Sequence, residues 1–485
     1  MKFLIFLPLL LPIFGAFLIY TFKYRKFWKN CFIFAILFLT LALTIINCFI
    51  NVDIIDLIFI TRNLSLSFHI DKLSMFFSIA ISFVWLFVGI YTFEYIKHEK
   101  NENRFYTFYL LTLSMLLALC YSANLITMYL CFEMVTLLSM PLVLHSLSNE
   151  SVFAAKKYLF YSLGGAFLAL LGIFFLVHYS GNAPFGEFGG MECFKEGVFT
   201  GNQTLFHVVI FLLIIGFATK SGMYPMHGWL PVAHPVAPSS ASAVLSGVIT
   251  KAGIIAIIRV IYYVVGPDFL INTWVQYAFL ALACFSVFMG SLLATLEKNF
   301  KKRLAYSSIS QLSYILIGLA LMNNVSFLGA LLHVAAHMLI KVCLFLFAGE
   351  LIYKFDKYRV DELKDIGTIM PISTGCYTIA ALGLIGIPFT GGFISKWYLA
   401  NGALSSNLPV FNYLVPIVLL LSAILTAAYL LPISFHGYFT GNKKCERNEA
   451  KKTMYVPLMI LTICIVVLGV FYEPLIDFIW MIMGN

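Results

Sequence analysis

The chain has 485 residues, of which 61% are hydrophobic and only 11% charged, whereas soluble domains carry about a quarter charged residues. Its 22 acidic and 31 basic residues, with a net charge of +9, are too few to cover a water-soluble protein of this size. A soluble enzyme, a nucleic-acid binder and a disordered scaffold are thereby excluded, and a polytopic membrane protein remains.

A spanning helix needs roughly 20 apolar residues. Runs of that order predict an all-α chain of about fourteen spans, at 3–21, 31–50, 73–94, 105–121, 123–146, 153–178, 204–224, 238–264, 275–296, 304–322, 326–353, 369–399, 410–438 and 454–472. The short alternating strands of a membrane β-barrel are not the pattern here. Span 1 has the apolar core of a signal peptide. No small-residue cleavage site follows it, and Lys23, Arg25, Lys26 and Lys29 do, so it is read as a retained helix. Spans 4 and 5 meet at Tyr121-Ser122-Ala123-Asn124 and predict a tight hairpin.

Bases concentrate after the odd-numbered spans. They include Lys97, Lys100 and Arg104 after span 3, and Lys156 and Lys157 after span 5. Lys298, Lys301, Lys302 and Arg303 follow span 9, Lys354, Lys357, Arg359 and Lys364 follow span 11, and Lys443, Lys444, Arg447, Lys451 and Lys452 follow span 13. The N-terminus and the alternate loops hold only Lys2, Arg62, Lys72 and Lys195. The positive-inside rule then puts the odd loops in the cytoplasm and both termini outside, in an inner (plasma) membrane.

The remaining bases, Lys220, Lys251, Arg259, Lys341 and Lys396, fall within spans or at breaks in them. Arg259, toward the outer end of span 8, is expected to snorkel. Glu133 is the one acid well inside a span, with Glu94, Glu350, Glu473 and Asp477 near span ends. Charges in a bilayer are expensive, so function is sought among these residues.

In chain order, Glu133 is either a structural carboxylate tied to a neighbouring base or half of a buried ion pair that gates a proton step. Lys157, at the start of span 6, is a second candidate partner or an ordinary cytoplasmic anchor. Lys220 precedes Gly222 and Pro225, where the helix should break. Irregular backbone at that depth must face protein or water, so Lys220 either reaches water and exchanges a proton or snorkels to an interface. His227, in the uncharged proline-rich stretch that follows, either passes protons between Lys220 and the cytoplasm or pins a loop. Lys251 lies in mid-span between Gly247 and Gly253. His333, His337 and Lys341 share one helical face at spacings of four. They read as a proton wire or as structural hydrogen-bonding groups. Lys396 follows Pro388, Gly391 and Gly392, a second break. The two broken segments are spans 7 and 12. An offset of five spans reverses orientation, which predicts an inverted repeat.

The ten cysteines form no Cys-x-x-Cys pair, and no phosphate loop or haem-binding histidine pair stands out. No cofactor and no metal is expected, and the His-x-x-x-His of span 11 lacks the glutamate and third ligand of a zinc site. An integral-membrane enzyme would need a nucleophile with its base, or a metal motif, at the membrane surface. A passive scaffold would make the buried charges dispensable.

Three segments carry a resemblance: Trp229 to Gly253 (WLPVAHPVAPSSASAVLSGVITKAG), Lys302 to Tyr314 (KRLAYSSISQLSY) and Gly386 to Lys396 (GIPFTGGFISK). With Glu133 they resemble the antiporter-like membrane subunits. These are the large proton-pumping subunits of respiratory complex I, the large subunits of Mrp-type cation/proton antiporters, and their relatives in membrane-bound hydrogenases. The resemblance implies fourteen core helices and two inverted five-helix repeats, spans 4–8 (105–264) and 9–13 (275–438). An N-terminal region (1–104) precedes them and a C-terminal helix (454–485) follows. It implies that Glu133 and Lys220 form a gating pair, that Lys251, His333, His337 and Lys341 form a central relay, and that Lys396 exchanges protons with the outer side or a neighbouring subunit. The span 11 pattern and the Ser395-Lys396-Trp397 ending are most similar to the Mrp and hydrogenase branches, and the size suits the D-type component of an Mrp antiporter. A complex I subunit is the alternative, although one of its types carries glutamate where Lys396 stands. The implied partners are other membrane subunits, the lipid bilayer, H+ and Na+, with no redox or hydrolytic site in this chain.

Overall fold

The structure is a computed structural model that describes residues 2–22, 25–50, 53–61, 64–190, 202–439 and 446–484. The bases Lys23, Arg62, Lys195, Lys443 and Lys444 of the loop pattern lie outside the described residues. Helices α1 (Leu7–Thr21) and α2 (Lys26–Asn47) lead into a hairpin of β1 (Ile55–Thr61) and β2 (Leu64–Phe68). Then come α3 (Lys72–Tyr95), α4 (Glu102–Cys120), α5 (Leu125–Val143), α6 (Asn149–Ser180) and α7 (Gln203–Ser221). The chain continues through α8 (Leu230–Val236), α9 (Ser239–Val244), α10 (Lys251–Ile258), α11 (Trp274–Leu296), α12 (Phe300–Ala320) and α13 (Asn324–Phe355). It ends with α14 (Ile366–Ile369), α15 (Pro371–Ile385), α16 (Gly391–Leu404), α17 (Phe411–Phe439), α18 (Lys452–Val470) and α19 (Glu473–Ile482).

Among the described residues twelve helices are long and apolar enough to cross a membrane. They match twelve of the predicted runs. The other two runs fold as helices of a different kind. Run 304–322 is α12, which starts earlier than its apolar stretch and carries Lys301, Lys302 and Arg303 in its first turn. Run 369–399 is divided into α15 and α16. Several starts are set by side-chain caps: Asn124, Ser148, Asn299 and Asn323 accept the backbone amides of Thr127, Ser151, Lys302 and Ser326, satisfying donors a helix start leaves open.

The hairpin is an addition to the helical plan. β1 and β2 pair antiparallel, Ile55 opposite Phe68 and Thr61 opposite Leu64. Ala123 N donates to Ser67 O at 2.9 Å and His69 N to Tyr121 O at 2.8 Å, so the hairpin grips the α4–α5 turn. The apolar run of β1 itself, Ile55–Thr61, is too short to span and too β-branched to favour a helix. Ser114 Oγ donates to Leu9 O at 2.7 Å, fastening α1 to α4.

The interior is built on Ser239–Val265 and α13, both wholly surrounded by protein. The two breaks around it close alike. Gly222 (φ 73°) ends α7 and Gly386 (φ 92°) ends α15, both in the left-handed region. The next amide in each case reaches five residues back, Met223 N to Ala218 O and Ile387 N to Leu382 O, both at 3.1 Å. This is the glycine closure of a helix C-terminus. The stretch after Gly222 folds inward: Trp229 is buried and its Nε1 donates to Thr219 O at 2.9 Å.

Three bases stand differently from their sequence reading. Arg259 does not snorkel. It is 2% exposed and makes a two-pronged pair with Asp71, at 2.5 and 2.8 Å. A fixed carboxylate just ahead of α3 replaces water as its partner. Lys301 is a buried side chain rather than a loop anchor, donating to Pro235 O at 3.3 Å and to Ala237 O. Arg303 donates to Tyr429 O at 2.9 Å. Both bases lie inside because α12 begins before its apolar run does.

Candidate functional site

The row starts at the last turn of α7. Lys220, 1% exposed, donates to Thr136 Oγ1 at 2.8 Å and to Tyr158 OH at 2.5 Å. Its Nζ also lies 4.6 Å from the centroid of the Tyr158 ring, a cation–π geometry. Tyr158 OH shares a 2.7 Å hydrogen bond with Ser139 Oγ. Glu133, half-buried on α5, accepts from Tyr129 OH at 3.3 Å. Among the described residues Glu133 and Lys220 do not form a contact ion pair. Glu133 is the carboxylate whose field reaches Lys220, while two hydroxyls occupy the ammonium.

The stretch carrying Lys251 packs on α7 through Gly253, where a Cβ would fall 2.4 Å from Phe217 O. A string of hydroxyls and carbonyls runs from Ser221, the residue after Lys220, to Lys251. Ser221 Oγ donates to Thr250 O at 3.3 Å, Thr250 Oγ1 to Ser246 O at 2.9 Å, and Lys251 Nζ to the same Ser246 O at 2.9 Å. Ser246 sits in a π-helical turn, Leu245–Ile249, where Thr250 N reaches Leu245 O, five residues back.

Lys251 Nζ then meets His337 Nδ1 at 2.7 Å. The rings of His337 and His333 are 6.0 Å apart. His333 lies flat against Tyr314, centroids 5.4 Å apart, and its Nδ1 meets Ser395 Oγ at 2.8 Å. Lys396 Nζ stands 4.9 Å from the same Tyr314 ring and donates to Leu384 O at 2.6 Å and Ile385 O at 2.9 Å. These are the last carbonyls of α15, the negative end of that helix. Lysines, imidazoles and hydroxyls thus run from α7 to α16 through the protein interior.

Lys341 shares the helical face of His333 and His337, one turn further along α13. It faces α12, donating to Leu304 O at 3.0 Å and to Ser307 Oγ. Ser308, next to it, bonds Ser246 at 2.7 Å. Lys341 is therefore a side branch at Lys251, and His337 and His333 carry the row onward. Lys157 and His227 lie together at the α7–α8 break: both are half-buried, and Lys157 is the charged neighbour that acts on His227. His227 faces Tyr224, with ring centroids 5.8 Å apart, and neither bonds to Lys220.

The hydroxyls escaped the sequence reading. Thr136, Tyr158 and Ser395 hold the row through their hydroxyls, Ser246 through its carbonyl and Tyr314 through its ring, and a search restricted to charges passes over them. The available signal was their spacing. Tyr129, Glu133, Thr136 and Ser139 fall three or four apart on α5, which puts them on one stripe.

The row can hold and pass protons. An amine beside an imidazole shares one proton between two nitrogens, and either can be the donor. Its amines, imidazoles and hydroxyls are groups that exchange protons.

Fold and site together define a polytopic α-helical membrane protein with a charged and titratable row buried between two broken helices. Residues 122–424, more than half of the chain, match the family described as NADH:quinone oxidoreductase/Mrp antiporter, TM, and the chain belongs to that family. Residues 59–106 match the N-terminal family of complex I chain 5. The chain is 30% identical over 430 residues to NADH-quinone oxidoreductase subunit N of Desulforudis audaxviator, covering 84% of this chain and 82% of that one. It is 25% identical to the D-type component of the Na(+)/H(+) antiporter of Alkalihalophilus pseudofirmus, covering 98% and 95%. The fold is that of a chain in the Mrp complex of a Dietzia species, with a TM-score of 0.86 at 19% identity, covering 100% of this chain and 98% of that one.

Proposed function

We propose that this chain is a proton- or cation/proton-translocating antiporter-like subunit of a multisubunit membrane complex, most like the D-type component of the Mrp antiporters. The observation that carries the proposal is the buried row itself, above all the 2.7 Å contact between Lys251 and His337. A bilayer protein keeps such groups only where they work or are fully paired. The near end-to-end likeness to a D-type antiporter component supports the Mrp reading. The second reading is a proton-pumping membrane subunit of an NADH:quinone oxidoreductase or a membrane-bound hydrogenase, favoured by the relative at 30% identity.

In this reading Glu133 and Lys220 form the gate, with Thr136 and Tyr158 setting how strongly the lysine holds its proton. Lys251, His337 and His333 carry the proton across, Lys341 tunes Lys251 from the side, and Lys396 hands it on. Lys157 and His227 serve the α7–α8 break. The two helix breaks, closed alike, support the inverted repeats 105–264 and 275–438, between the regions 1–104 and 454–485. Counting α12 and the α15–α16 pair gives the fourteen spans. The protein works in the inner (plasma) membrane with both termini outside.

The test is proton flux in membrane vesicles holding the full chain with the subunits encoded beside it. Lys251→Met at matched expression should abolish flux. Full flux in that variant overturns the proposal.

A further inference from the structure

At the base-rich end of α13 lies an acidic group outside the row. Glu350 is wholly buried, and neither of its carboxylate oxygens meets a hydrogen-bond donor among the described residues. Beside it, Ser373 Oγ donates to Glu449 Oε2 at 3.1 Å, and the amide of Ile372 donates to Glu449 Oε1 at 2.5 Å. Glu449 thereby caps the start of α15 and brings a second carboxylate to the same hydroxyl. Ser373, Glu449 and Lys354 are the groups that act on Glu350.

No base among the described residues reaches ion-pair distance of either carboxylate, although bases concentrate on this face. Lys354 comes nearest, but its ammonium donates to the main-chain carbonyls of Asn448 and Glu449 instead. Two carboxylates and one neighbouring ammonium leave a single negative charge to neutralise. A buried carboxylate without a partner takes a proton or a cation. The oxygens gathered here, of which those of Glu350 have no hydrogen-bond partner, belong to carboxylates and a hydroxyl, the hard donors that suit alkali and alkaline-earth ions. The residual charge of one selects a monovalent ion over a divalent one. Glu449 is half-buried and Asn448 is exposed, so water reaches the group from the base-rich face.

We propose that Glu350, Ser373 and Glu449 form a binding site for a small monovalent cation, at which the cation and a proton compete for Glu350. The lysine and histidine row offers mainly nitrogen donors, whereas a hard monovalent ion takes oxygens. The site's place in a transport cycle rests on the proposed function, whereas binding itself does not. Competition of a metal ion with a proton on one carboxylate would let one side of the membrane sense both ions.

The test uses the purified full chain and radioactive sodium at equilibrium, at about pH 8 and about pH 6. The expected result is saturable sodium binding at the alkaline pH and its displacement at the acid one. Glu350→Gln should abolish binding, and Ser373→Ala should weaken it about tenfold. Glu350→Asp, which keeps the charge, should retain part of it and guards against a mere folding defect. Lys251→Met should bind sodium as the unaltered chain does. Absence of saturable sodium binding, or binding unchanged in a folded Glu350→Gln chain, overturns the inference. If sodium binding is absent while Lys251→Met still stops proton flux, only this inference falls. If sodium binds and Lys251→Met leaves flux intact, the translocation reading falls instead.

Discussion

The Nζ of Lys251 and the Nδ1 of His337 face each other at 2.7 Å, each side chain wholly buried. Two bases at that distance cannot both be charged without strong repulsion, so the contact holds one proton between two nitrogens. His337→Ala should therefore slow proton flux by about tenfold, equal to about 1.4 kcal/mol of barrier. Initial rates in vesicles at matched expression check this, and unchanged rates would make the histidine structural.

Lys220 depends on hydroxyls rather than on a touching carboxylate. Tyr158→Phe keeps the ring beneath the ammonium and removes one of its two hydrogen bonds. Flux should fall by less than it does in Lys220→Ala, which should abolish it while the protein still inserts. Equal rates in Tyr158→Phe and the unaltered chain would remove the hydroxyl from the mechanism.

Lys396 closes α15 as well as ending the row. In Lys396→Met the carbonyls of Leu384 and Ile385 lose their donor and no titrating group remains, so flux should stop. In Lys396→Glu a protonated acid can still donate to one of those carbonyls and can still exchange a proton, so part of the flux should survive. Comparison of the two variants at matched expression decides it, and full flux in Lys396→Met would take the residue out of the path.

Asp71 gives an acid limit to the fold. Its burial works to raise its pKa, and the charge and hydrogen bonds of Arg259, with those of Ser74, outweigh this and hold it at about 2. Because the folded value lies below the unfolded one near 4, its stabilisation is full above about pH 4 and is lost as the pH falls through about 2. Asp71→Asn leaves the Arg259 guanidinium without its counter-charge and should cost about 3–5 kcal/mol. Thermal unfolding in detergent at neutral pH should register that loss. The guanidinium also donates to Ser74 Oγ at 3.1 Å and lies 5.1 and 4.7 Å from the ring centroids of Phe185 and Tyr263, and an unchanged midpoint would show that these hold the arginine alone.

Much of this arrangement was legible in the residues. The apolar runs marked the helices, because a bilayer permits few other backbones. The four-residue spacing of His333, His337 and Lys341 put them on one face. Which of the three meets Lys251 was not legible, since that depends on the phase of two helices at once. The Glu133–Lys220 pair is what the family resemblance implies, and charge says nothing of Thr136 and Tyr158, which take the ammonium. Lys301 was hidden by its neighbours: beside Lys302 and Arg303 it reads as one more loop base, and only the early start of α12 turns it inward. The β1–β2 hairpin is too short to register against a search for spans.

The π-helical turn at Leu245–Ile249 makes Lys251 a matter of phase as much as of identity. A wide turn holds one residue more than an α turn, and one residue is worth about 100° of rotation. A chain lacking a single residue in that turn would keep its lysine, its hydropathy and its length of span. Its ammonium would nevertheless swing off the side that meets His337. Two relatives can therefore agree at every charged position and still differ in whether the row is continuous.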